Sequence, residues 1–309
     1  MILDLVHILT RKGGMYMQPF SPEGLYAEPP AAEALHRGLN TGEIFRAMCI
    51  KCDEFHNLHV DLGALRGYIP REEAALGITE GKLREIGILS RVGKPVSFQV
   101  LEFSENNTVI LSRRAAQLEA RSYFLSALRP GDVIPAMVQT PADFGVFCDI
   151  GCGFSALMRL DRCCVSRLQS TRDLYRPGQN IFTAVLDVDD VEGRLTLTGR
   201  ELLGTWEENA ALFQTGQTVT GLVRSVMPYG VFVELTPNLS GLAEATEDVQ
   251  PGDRVSVYLR RILPHRHKIK LNILEKLPPL PPCEPEFRIK QGHLDCWEYY
   301  PGSTAVTYF

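Results

Sequence analysis

A chain of 309 residues, 45% hydrophobic and 22% charged, is long enough for two or three domains that each bury a core of their own. Its net charge of -5 excludes a protein that coats nucleic acid by bulk positive charge, so any grip on a polyanion has to be local. Eight cysteines in so long a chain point to free thiols in a reducing compartment rather than to a disulfide framework.

The opening residues, MILDLVHIL, are apolar, but the run is too short to span a bilayer, and Arg11 and Lys12 follow it instead of preceding it. No signal peptide and no membrane partner are expected, and the expected location is the cytoplasm. Met15 and Met17 offer alternative starts, and residues 1–40 are read as an N-terminal extension. Cys49-Ile50-Lys51-Cys52 has the spacing of half a zinc site, but a second ligand pair is missing, since Cys163-Cys164 lacks the spacing. On a strand, residues three apart point to opposite faces, so these cysteines read as structural, and no cofactor is expected.

Residues 41–115 carry His56-Asn57-Leu58-His59-Val60-Asp61-Leu62, then Gly67-Tyr68-Ile69-Pro70, then Val92-Gly93-Lys94-Pro95-Val96 and Val109-Ile110-Leu111-Ser112. The segment 116–128, rich in Ala, Leu, Glu and Arg at helical spacing, reads as a linker helix. Residues 129–200 repeat the earlier order more clearly, with Phe144-Gly145-Val146-Phe147-Cys148-Asp149-Ile150 at their centre. After a second linker helix at 201–214, residues 215–275 repeat it again, with Tyr229-Gly230-Val231-Phe232-Val233-Glu234-Leu235 standing 85 residues beyond its counterpart. A period this long fits separate domains rather than a solenoid. Within each unit the apolar residues alternate in short runs punctuated by Gly and Pro, the pattern of a small β-barrel. Beads on a string, each folding independently, are expected. Residues 276–309 read as a Pro-rich linker, beginning Leu277-Pro278-Pro279-Leu280-Pro281-Pro282, and an aromatic tail. That tail either folds back onto a barrel or docks a partner.

The order strand, [Phe/Tyr]-Gly-x-Phe-x-[Asp/Glu]-Leu, Gly-Leu, Pro-Gly-x-x-Val, Val-Leu-x-Val-Asp, Arg-x-x-Leu-[Ser/Thr] resembles the S1-type RNA-binding repeat. It is strongest in the second and third units and fainter in the first. The resemblance implies an all-β fold of three tandem five-stranded OB-type barrels joined by short α-helical linkers. It also implies which residues meet RNA: Phe144 and Phe147 as stacking platforms, Asp189 on a base or sugar and Arg194 on a phosphate in the second unit, with Tyr229, Phe232 and Lys268 in the third. The family often carries a His in its third strand, where this chain has Pro70, Arg159 and Glu244, and only Arg159 could still grip a phosphate. His56 and His59 stand where the other units have aromatics. The first unit therefore either binds RNA weakly or serves as a docking module.

The pleat puts Val146, Cys148 and Ile150 on one face of a strand, and Phe147 and Asp149 on the wet one. Aromatics there either stack bases or pack beneath a neighbouring loop. The run Arg260 to Lys270 is the densest positive stretch, and serves either RNA contact or protection of an edge strand. The expected partners are single-stranded RNA and the small ribosomal subunit, with no small-molecule substrate. An RNA chaperone or regulator is a second reading. A nuclease is the third, disfavoured because the repeats leave no room for a catalytic domain.

Overall fold

The computed structural model describes residues 20–24, 26–280 and 284–309, so that the apolar opening run with Arg11 and Lys12, Met15 and Met17, and Pro281 and Pro282 lie outside it. The described part of the extension carries helix α1 (Ala32–Thr41), which buries Leu35 and Gly38 and stops at Gly42 in the left-handed conformation.

Three closed barrels follow. The first comprises β1 (Phe45–Cys52), β2 (Leu58–Leu62), β3 (Leu65–Ile69), β4 (Pro95–Phe103) and β5 (Thr108–Ser112), with α2 (Ile86–Leu89) in the β3–β4 excursion. It is joined by α3 (Arg113–Ala127) to β6 (Val133–Pro141), β7 (Gly145–Gly151), β8 (Phe154–Arg159), β9 (Asn180–Asp189) and β10 (Arg194–Thr198). Helix α4 (Trp206–Ala210) precedes the third barrel, β11 (Thr218–Met227), β12 (Gly230–Thr236), β13 (Leu239–Ala243), β14 (Arg254–Leu263) and β15 (Lys268–Leu277). All three share one topology. The first three strands form a meander, the fifth lies parallel to the third, and the fourth closes the ring against the first. Alternation builds the cores: Val146, Cys148 and Ile150, like Val231 and Val233, are fully buried. Each first strand also carries a bulge at the same register, between Cys49 and Lys51, Val138 and Thr140, and Val223 and Ser225. Such bulges add the local bend that a five-stranded sheet needs to close on itself.

The units are not beads on a string. Helix α3 is capped by Ser112, and its Ala116, Ala120 and Phe124 are fully buried. Ala120 and Phe124 belong to the core of the second barrel, where Phe124 lies parallel to Phe154 with ring centroids 6.2 Å apart. From the same helix Gln117 accepts a bond from Leu76 N and donates one to Gly153 O, tying the first barrel to the second. The second linker is a 3-10 turn (Arg200–Leu203) broken at Gly204 before α4, not one helix, and its Leu202 and Leu203 also enter the second core. Between the second and third barrels, Asn238 accepts from Val165 N and donates to the carbonyls of Arg200 and Gly204.

The tail folds back. Phe287 packs edge-on against Phe182 of the second barrel, and His293 Nδ1 lies 2.9 Å from Asp132 Oδ1. Trp297 and Tyr299 then join the core of the third, and the tail closes as a small hairpin of β16 (Cys296–Glu298) and β17 (Val306–Tyr308). The fragment Leu128–Arg200, expected from sequence to fold alone, therefore lacks Phe124, Leu202 and Phe287. Losing one buried Phe typically costs about 3–5 kcal/mol, against a domain stability of about 5–15 kcal/mol. That fragment should bind a hydrophobic dye and unfold without cooperativity, whereas residues 113–309 should give a sharp transition in urea. A sharp transition from the short fragment would show that helix and tail are dispensable.

Candidate nucleic-acid interface

The outer sheet of the second barrel is formed by β7, β8 and β10. Gly145 opens β7 where a Cβ would lie 2.7 Å from the Met158 carbonyl oxygen, and Gly230 of the third barrel stands likewise 2.5 Å from that of Ala243. These close approaches draw the next strand over the start of the hairpin, and only glycine permits them. The residue before each glycine is left outside: Phe144 is 62% exposed and Tyr229 68%. Phe147 and Phe232 stand on the same outer face, half-buried. In each barrel the two rings meet edge to face, 6.0 Å and 81° apart for Phe144 and Phe147, 6.2 Å and 88° for Tyr229 and Phe232. Two perpendicular rings offer flat apolar faces in two directions, a shape suited to stacking planar ligands.

The cations stand on the neighbouring strands of the same sheet. Arg159 is directly across from Gly145, exposed, with Nε 3.0 Å from Asp161 Oδ1. Across the sheet Phe147 faces Leu157, which pairs with Thr196, and exposed Arg194 stands two residues before Thr196 at the start of β10. Asp189 is its ladder partner, but Asp189 Oδ1 accepts from Val191 N and Glu192 N and so holds the β9–β10 turn. Lys268 occupies the matching place in the third barrel, exposed and opposite Leu263. The run Arg260 to Lys270 does form a hairpin edge. Arg260 pairs with Glu244, while His267, in the left-handed conformation, turns inward.

His56 and His59 fall at the register of Phe144 and Phe147, because Leu58 pairs with Ile69 as Val146 does with Met158. They form no comparable platform. His59 meets Tyr68 edge-on at 5.5 Å, with Nε2 3.3 Å from Asp53 Oδ2, and His56 has a φ of 63°. Partial burial pushes the Asp53 carboxyl up, but hydrogen bonds from Asn57, His59 and Phe55 N outweigh it and hold it at about 2. The loop is organised around that carboxylate. Cys49 nearby is a buried thiol, pushed up to about 11 by burial, as a structural cysteine should be.

One expectation fails. Asp149 shares the outer face of β7 with Phe147, yet it is fully buried because residues 20–24 lie over it. Glu23 N donates to Asp149 Oδ2, and Asp149 Oδ1 accepts from Gly151 N and Gly153 N. The Glu23 carboxylate bonds Arg113 twice, at 2.9 and 3.0 Å, accepts from Ser97 N, and lies 3.4 Å from Arg91. Burial and the neighbouring Glu23 charge push Asp149 up to about 7. Burial opposes ionisation of Glu23 too, but Arg113 and Arg91 outweigh it and hold Glu23 below its ordinary value. The wet face of β7 thus ends at Phe147.

A groove of about 440 Å³ runs where the second barrel, the third barrel and the tail meet. Tyr229 and Phe232 line it together with Arg167, Trp206, His267 and Tyr300. His267 belongs to the basic run and Tyr300 to the aromatic tail, whereas Arg167 and Trp206 carry no signal that recurs between the units. Among the described residues, no helix is long and apolar enough to cross a membrane.

No family model matches the chain. It is 29% identical over 262 residues to the small ribosomal subunit protein bS1 homolog of Bacillus subtilis, covering 79% of this chain and 66% of the relative. To the bS1 homolog of Bacillus cereus it is 30% identical over 224 residues, covering 71% and 56%. The chain thus spans between about half and two thirds of the length of the curated relatives it matches. A solved multidomain protein with nucleic acid binding domains from Streptococcus pneumoniae aligns over 77% of this chain and 75% of its own, at 15% identity and a TM-score of 0.27. That likeness is too slight to bear on arrangement or function.

Proposed function

We propose that the chain binds single-stranded RNA and acts in translation, with mRNA and the small ribosomal subunit as partners, a reading supported by its three five-stranded barrels and by its similarity to the small ribosomal subunit protein bS1. The observation that carries this reading is the exposed aromatic pair that recurs at one register in the second and third barrels. Bases stack on such pairs with little regard to identity, while nearby cations hold phosphates. The second barrel is the principal site in this proposal, since Phe144 and Phe147 share their sheet with Arg159 and Arg194. Asp189 fixes the turn that presents Arg194 and turns its second oxygen to a sugar or base. Tyr229, Phe232 and Lys268 form the secondary site. His56 and His59 belong to a barrel that serves mainly in docking.

The protein in this reading is a cytoplasmic binding protein without a catalytic centre or cofactor. Co-sedimentation with small subunits in a sucrose gradient separates it from a free RNA chaperone, which would stay at the top. RNA cleavage by the purified protein with magnesium, surviving contamination controls, would overturn it in favour of a nuclease. Arg194→Ala should weaken binding to all RNA sequences alike and lower the slope of log affinity against log salt by about 0.7, the value for one single-strand phosphate contact. Fluorescence anisotropy across a salt series measures it. An unchanged slope would remove Arg194 from the interface.

A further inference from the structure

The groove between the second and third barrels is assembled from parts that the sequence keeps far apart: the segment Val165 to Arg167, the outer sheet of the third barrel, and the tail. We infer that it is a nucleotide subsite for single-stranded RNA, in which Tyr300 supplies an aromatic wall beyond Tyr229 and Phe232, and Arg167 supplies the phosphate cation. The inference rests on the RNA reading above and extends it to residues outside the repeat motif.

Its size falls in the range of small-molecule sites, about 300–1,000 Å³. Its lining is aromatic and polar, with few aliphatic side chains, which suits a flat heteroaromatic ring better than an apolar peptide. Tyr300 is held for this purpose. One face lies parallel to His267, with centroids 4.0 Å apart and 10° between planes. His267 is fixed in turn by Trp206, edge-on at 5.2 Å, and by Glu207, whose Oε1 lies 3.0 Å from Nε2. The left-handed backbone of His267 closes the turn of the basic hairpin and sets the imidazole against which Tyr300 stacks.

The groove contains two arginines with different duties. Arg224 is buried and bonds Glu234 at 2.7 and 3.0 Å, with Asp173 3.5 Å away, so its charge is neutralised and it orders the floor. Arg167 is exposed, and reaches the rim from the second barrel. The Ser166 and Ser240 hydroxyls, 3.0 Å apart, give the floor groups that donate or accept as required. Such a floor accommodates any base. The Asn238 amide between them is fully engaged with protein backbone and holds the two barrels in register.

The test uses the full chain and a labelled single-stranded uridine oligonucleotide, followed by fluorescence anisotropy. Tyr300→Ala should weaken binding about tenfold and Tyr300→Phe should bind like the parent, since the ring and not the hydroxyl is used. Arg167→Ala should weaken binding severalfold and lower the salt slope by about 0.7. Thermal unfolding checks that each variant keeps its fold. Should Tyr300→Ala unfold, photocrosslinking of parent protein to 4-thiouridine RNA decides: a crosslink in the peptide holding Tyr300 supports the subsite, and crosslinks confined to the barrels overturn it. Parental binding by Tyr300→Ala and Arg167→Ala, alongside loss in Tyr229→Ala with Phe232→Ala, overturns this inference and leaves the RNA reading intact. If removing the aromatic pairs of both barrels has no effect either, the RNA reading itself fails.

Discussion

Replacing Phe144 and Phe147 together by alanine is expected to weaken single-stranded RNA binding by one to several orders of magnitude while leaving the second barrel folded. Each base stacked on an aromatic contributes about 1–3 kcal/mol, and the pair offers two ring faces. The fold should tolerate the change. Phe144 is largely exposed, and the strand's inward residues, Val146, Cys148 and Ile150, are untouched. Circular dichroism checks the fold and anisotropy the affinity. If the double variant is folded and binds like its parent while Tyr229→Ala with Phe232→Ala loses binding, the third barrel carries the function.

The second large effect is on stability. Glu23→Ala is expected to destabilise the chain by about 3–5 kcal/mol, because it leaves the buried Arg113 guanidinium without its carboxylate. Urea unfolding at neutral pH measures it, and a loss below about 1 kcal/mol would show that the charge cluster is not what binds the first barrel to the second. Acidity acts on the two carboxylates in opposite senses. The folded-state pKa of Glu23 is lowered, so its contribution is present above its ordinary 4.5 and lost as the pH falls through the folded value. Asp149 rises from 3.8 to about 7, so its protonated form favours the native state, and that stabilisation is lost as the pH climbs from about 4 through about 7.

The barrels were legible in the sequence because a strand's alternation and a turn's glycine are local signals that recur at a fixed offset. Gly145 and Gly230 mark the same close approach of the same two strands, and the motif around them locates both aromatic pairs. What lay between the barrels was not legible. Glu23, Arg113 and Asp149 stand in three different units and meet only once helix α3 has packed, so no window of sequence contains their relationship. Ala120 and Phe124 looked like the ordinary apolar stripe of a linker helix. Nothing local distinguishes a stripe that covers its own barrel from one that completes the next. The tail's aromatics were visible as a cluster, but two of them are core residues and a third stacks on a histidine far upstream.

The strap formed by residues 284–309, which touches the second barrel through Phe287 and His293 and the third through Trp297 and Tyr299, bears on how the chain would measure the length of a strand. Two binding modules on a floppy tether search for each other's ligand, and the tether sets the effective concentration of the second encounter. Here the strap would remove that freedom from the protein and leave it to the bound strand. Oligonucleotides too short to bridge the platforms of the two barrels would each engage one and leave quickly. Once the strand is just long enough to span them, avidity would appear as a step in the dependence of affinity on nucleotide number, and would then decline slowly as the bridging nucleotides become slack.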